Sequence, residues 1–203
     1  MNLDALPFNT FDVLLVVILG AGLYHGRKAG MSGELLSMAK WLAIVFACAV
    51  AYQPAGAYFA QSTEMFSTLS CYLMAYVGSA LVIILIFAGI SRSLGGKLLG
   101  SDLFGGAEYY LGMGSGMVRY ACILLAGLAL LNARFFPSSE VKAMERFQND
   151  VYGSNFFPGL HSVQASVFER SLTGPFIKEY LSFFLIKPTE PEQKELHQKD
   201  AKW

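Results

Sequence analysis

Two charges stand out at or inside stretches that are largely apolar and helical in pattern: Glu34, which opens one, and Arg119, within another. A charge inside a membrane-spanning helix costs at least a few kcal/mol. It pairs with a counter-charge, reaches for the interface, or lines a path for a substrate, ion or proton. Arg119 shares a helical face with Glu108, because eleven residues at 100° each return to within about 20° of the start. Along the axis the two stand about 16 Å apart, too far to pair with each other. Gly112 and Ser115 fall on the same face and Gly116 at its edge. Residues 112–116 thus carry the GxxxG spacing that lets two backbones approach closely in lipid. Glu34, with Ser37 and Trp41 near its face, is the expected partner of Arg119. As an acid in a first helical turn it would also complement the helix dipole. Glu34, Arg119 and Glu108 form the candidate intramembrane charge network, and Gly112 and Gly116 are candidate packing positions.

The other chemistry-bearing residues are dispersed. His25, His161 and His197 are scattered over a loop, the tail and the C-terminal end, without the spacing of a metal site. Cys48, Cys71 and Cys122 all lie in apolar runs and form no CxxC or Cys/His pattern, so no metal, cofactor or disulfide framework is expected. No nucleophile–base constellation is present, and an enzyme is not expected. Asp12 reads as an N-terminal helix acid. Basic and acidic residues balance at 15 each, which argues against a nucleic-acid surface.

These residues need long apolar helices to position them. From Met65 to Ser91 there is no formal charge, more than the roughly 20 residues that cross a hydrocarbon core. Three further apolar segments join it, and the expected fold is an all-α membrane protein with four transmembrane helices at about 8–25, 31–53, 66–91 and 108–133. Pro54 and Gly56 are expected to close the second helix, and a glycine-rich loop to occupy 92–106. Arg27 and Lys28 place the first loop on the cytoplasmic side, and Arg92 and Lys97 the third. The loop between lacks Lys and Arg, so both termini are expected outside. Residues 1–134 form the transmembrane domain. Residues 135–186 read as short amphipathic helices, interfacial or docked on the bundle. FIKEYLSFFLI (176–186) is apolar but too short to span. Residues 187–203 are charged, hold two prolines and are expected to be disordered.

Two blocks of spacing resemble the CvpA family, the colicin V production proteins of bacterial inner membranes. The first is Asp12, Gly30, Glu34 and Trp41, at intervals of 18, 4 and 7 residues. The second is Glu108, Gly112, Gly116 and Arg119, an acid–x3–Gly–x3–Gly–x2–Arg pattern, and Pro158 is similar to a proline in the family's tail. The chain departs from the pattern at Ala29, where the family has Arg, at Glu108, where it has Asp, and at Tyr120, where a glycine is common. The resemblance covers roughly residues 8–170 and adds Gly30 to the packing positions. It implies a non-enzymatic, multi-pass inner-membrane protein that supports toxin production or secretion and envelope homeostasis. Its expected partners are the lipid bilayer and other membrane proteins, or copies of itself in a homo-oligomer. The alternative from another class is a small oligomeric transporter or channel, with Arg119 and Glu34 lining a polar path.

Overall fold

The computed structural model describes residues 9–62, 66–98, 105–152 and 159–189, the side chains of 94–98 and 151–152 excepted. The first helix, α1 (Thr10–Ser62), is 53 residues long and broken at Gly30, where φ is 71° and ψ 171°. Only glycine adopts that backbone conformation without steric cost. A straight helix of this length would extend about 80 Å. Yet Phe11 near its start and Tyr52 near its end belong to one buried cluster. The chain therefore doubles back at Gly30 into two antiparallel arms, 10–29 and 31–62.

Helix α2 (Thr68–Leu98) follows, then α3 (Glu108–Asn132), α4 (Ser138–Tyr152), α5 (Leu160–Phe168) and α6 (Gly174–Tyr180), with short 3-10 turns at Gly105–Ala107 and Ser182–Phe184. No strand forms among the described residues; Arg134 and Thr189 make an isolated bridge. Among the described residues, three helices are long and apolar enough to cross a membrane: Thr10–Ser62, Thr68–Ser93 and Gly105–Asn132. The sequence predicts four separate segments; α1, broken at Gly30, stands where two of them were expected.

Several boundaries differ from the expected ones. Pro54 and Gly56 do not end the second arm, which continues to Ser62. A proline forfeits one helical hydrogen bond, and packing against neighbours can hold the helix through it. The ring of Tyr72 occupies the space a Gly56 side chain would need, so this glycine serves packing. Helix α2 runs through Gly95 and Gly96 to Leu98 instead of closing at 91. The rest of the glycine-rich loop (99–104), Pro158 and the tail from 190 lie outside the described residues. Lys187 to Thr189, expected to be disordered, are held in place: Thr189 N–H donates to the Ala133 carbonyl and its own carbonyl accepts from Phe135.

Helix α1 is the hub, packing on both α2 and α3. Its second arm runs antiparallel to α2, since Cys48 meets Tyr76 while Gly56 meets Tyr72. At the Asp12 end a core of Phe11, Ile44, Cys48, Tyr52, Leu128, Ala129, Val167, Phe168, Leu185 and Ile186 joins the helices to the tail. Leu160, Val163, Val167, Phe168 and Leu172 fall near a helical stripe in the sequence, yet of these only Val167 and Phe168 are buried; Leu160, Val163 and Leu172 are exposed. Helix α5 stops at Phe168, so the stripe does not continue on one helical face.

Candidate functional site

The first arm of α1 meets α3 through glycines on both sides. A side chain on Gly22 would stand 2.9 Å from the Gly116 carbonyl oxygen and 3.1 Å from Tyr120 Cβ. On Gly26 it would collide with the Gly112 carbonyl and stand 2.9 Å from Gly116 Cα. On Gly112 it would stand 2.6 Å from the Gly26 carbonyl oxygen and 2.8 Å from Gly30 Cα. Backbone lies directly against backbone, as small-residue seams in lipid allow. Gly112 and Gly116 were singled out by their spacing, but their partners Gly22 and Gly26 were not. Gly22, Gly26 and Gly30 recur every four residues, a signal present in the sequence.

The break at Gly30 leaves the second arm with unpaired amide groups in its first turn, as any helix start does. Glu108 meets them: its Oε1 accepts from the Ser32 N–H at 2.8 Å. The carboxylate sits at a helix N-terminus, where the dipole favours a negative charge. A side chain on Gly30 would stand 3.0 Å from Glu108, so this position needs glycine for space as well as for backbone angle.

Two residues beyond Ser32 on the same arm, Glu34 Oε2 lies 2.7 Å from Arg119 Nη1. The Glu34 side chain is 4% exposed and that of Arg119 17%. Side chains on a helix tilt toward its N-terminus. Arg119 therefore reaches back along α3 toward the Glu108 end, where Glu34 meets it. Its guanidinium also sits 5.0 Å from the ring centroid of Tyr120, and Arg27 lies over Tyr109 at 4.8 Å. Glu34, Arg119 and Glu108 are thus brought to one end of one seam but make two distinct contacts: an ion pair and a helix cap.

At the other end Asp12 does more than its expected part. Asn9 caps α1 through its side chain, accepting from Thr10 N–H, and Asp12 accepts from Asn9 N–H at 3.0 Å. The Asp12 contact is one half of a capping box; the other half is missing, because Asp12 N–H donates to the Asn9 backbone carbonyl and not to its side chain. The Asp12 carboxylate also accepts from Leu172 N–H, Thr173 N–H and Thr173 Oγ1, at 3.0, 3.2 and 2.7 Å. Asn9 Nδ2 donates to the Ser166 carbonyl and hydroxyl. One turn of α1 therefore holds the tail 160 residues away. Asn132 Nδ2 donates to the Ile186 carbonyl, and Lys187 N–H donates to the Tyr52 hydroxyl. Nothing in the local pattern around Asp12 announces this role, because its partners lie in distant loop segments.

Cys48, Cys71 and Cys122 are free and buried. Cys48 Sγ lies 3.5 Å from the Tyr76 carbonyl oxygen across the α1–α2 contact. Among the described residues no group of three His, Cys, Asp or Glu side chains is placed to hold a metal ion. His25 packs beside Tyr24 and Tyr120, and His161 beside Phe136.

No curated protein and no solved structure matches the chain. A family model does, that of the colicin V production protein, over residues 11–168. That range takes in Asp12, the Gly30 break, the Glu34–Arg119 pair and the glycine seam, and it covers well over half of the sequence. With its long apolar helices, the chain is a membrane protein that belongs to the colicin V production protein family.

Proposed function

We propose that this protein is a multi-pass component of the bacterial inner membrane. It supports colicin V production or secretion and envelope homeostasis by acting with other membrane proteins or with copies of itself, and catalyses no reaction. Each arm of α1 crosses the bilayer separately, giving four crossings in all. Arg27 and Lys28 close the first arm and Arg92 lies near the far end of α2, all at the Gly30 end of the bundle. That end is cytoplasmic on the positive-inside rule, and both termini lie outside.

The observation that carries a scaffold over a transporter is the engagement of Arg119. Its charge is met by Glu34 at 2.7 Å, and Glu34 is buried. A charge already neutralised within a helix seam supports a fixed bundle that presents surfaces to partners. The test is complementation of colicin V export in cells lacking this chain. Arg119→Glu alone abolishes export, and combining it with Glu34→Arg restores it. A stable, membrane-inserted double variant without export would sink the scaffold reading in favour of a path that needs the arginine itself. Orientation is checked separately: an alkaline phosphatase fused after Thr189 is expected to be active, and one fused after Gly100 inactive.

A further inference from the structure

The tail does not only cap the end of the bundle; it reaches down its side. Phe184 packs edge-on against Phe46 with ring centroids 5.1 Å apart. Phe46 is 55% exposed on the second arm of α1, six residues or about 9 Å inward of Tyr52. Phe183 stands edge-on to Phe184 at 5.2 Å, and Phe176 stacks on Tyr180 with 12° between the rings. The same stretch buries Leu185 and Ile186 in the core, yet leaves Phe176, Tyr180 and Phe183 at 59%, 73% and 58% exposure. Three large rings facing outward within eight residues suit the boundary between hydrocarbon and headgroups, where aromatic side chains are favoured. The charged neighbours conform: Lys178 lays its ammonium over the Phe168 ring at 5.2 Å, and Glu179 is exposed.

We propose that residues 172–187 form an aromatic collar seated in the bilayer interface at the Asp12 end of the bundle, its occupant being lipid headgroups and the upper acyl chains. Two features argue for lipid. The collar is continuous, through Phe46 and Phe184, with the apolar outer surface of a spanning helix. Its depth is fixed at both ends, by Thr173 on Asp12 and by Lys187 on Tyr52. A segment too short to span, with apolar rings beside the charges of Lys178 and Glu179, suits this plane. The inference rests on reading α1, α2 and α3 as membrane-crossing, and its test separates the two.

The full chain is reconstituted in nanodiscs of phosphatidylethanolamine and phosphatidylglycerol. It is photolysed with an apolar diazirine dissolved in the bilayer, and the adducts are mapped by mass spectrometry. No substitution is needed, so folding is not at issue. Leu85, 71% exposed on α2, reports on the crossing itself. The expected result is strong labelling of Leu85, with Phe176, Tyr180 and Phe183 each at no less than about a tenth of its yield. Lower yields on the three rings with Leu85 labelled overturn the collar alone, whether water or a second protein copy covers the rings. An unlabelled Leu85 overturns the membrane reading beneath it.

Discussion

Helix α1 presents two faces to two partners, and they are built on different principles. Against α3 it offers Gly22, Gly26 and Gly30, and the helices meet backbone to backbone, flanked by the Glu108 cap and the Glu34–Arg119 pair. Against α2 it offers ordinary side chains: Cys48 on the Tyr76 carbonyl and Tyr52 edge-on to Tyr72. An open groove lined by Ala47, Ala51, Met74, Gly78 and Val82 runs along that contact. Helix α2 is the most apolar of the three, with mean hydropathy 2.5, and the least buried: 11% of its apolar window against 28% in each of the others. In lipid, apolarity therefore does not measure packing. A helix dissolved in hydrocarbon gains nothing from hiding leucines, so close contact is specified by small residues and by polar groups that need partners.

The sharpest way to break this contrast is at the charges. Arg119→Ala leaves Glu34 buried without its counter-charge, and loss of one partner of a buried pair costs about 3–5 kcal/mol. A large fall in the unfolding midpoint in detergent is expected, against almost none for Leu85→Ala on the exposed face of α2. Equal effects would erase the distinction between the two sides.

A smaller effect tests the glycines. Gly26→Ala and Gly112→Ala place a methyl against backbone that cannot move aside cheaply, and each is expected to cost about 1–3 kcal/mol. Gly78, on the α2 side, meets nothing within 4 Å. There alanine is expected to stabilise the helix by roughly 0.5–1 kcal/mol. Measuring all three in one detergent would show whether opposition to a backbone, and not glycine itself, sets the cost.

The smallest expected change belongs to the Asp12 end. Asp12→Ala removes a capping carboxylate and the anchor of Leu172 and Thr173, a loss of about 1 kcal/mol by analogy with other helix caps. Hydrogen exchange should accelerate in residues 160–186 while α2 and α3 keep their protection. Uniform acceleration would mean that the tail is integral to the bundle and not latched to it.

Much of this was legible in the chain. Spacing alone put Glu108, Gly112 and Arg119 on one face of α3, and the Glu34–Arg119 contact lies where that reading expected it. Other features were not. Gly30 was expected at the end of a loop, and instead it is the single point at which α1 turns back. Pro54 was expected as a stop, a local rule that tertiary packing overrode. Asp12 looked like an ordinary helix acid because its other partners come from a segment 160 residues away.

The sequence by itself determined the solvent and the helices. Transfer into hydrocarbon is a sum over neighbouring residues, so an uncharged run from Met65 to Ser91 needs no partner to declare itself. It also determined which face of a helix carries glycines and charges, since that follows from 100° per residue. The tertiary structure alone decided what stands opposite each face: Gly112 against Gly26, Glu108 over the amide of Ser32, and Asp12 beneath the tail. Periodicity fixes direction around an axis but carries no information about which axis lies alongside, and that choice is made only when the arms of α1 close on α3 and the tail closes on both.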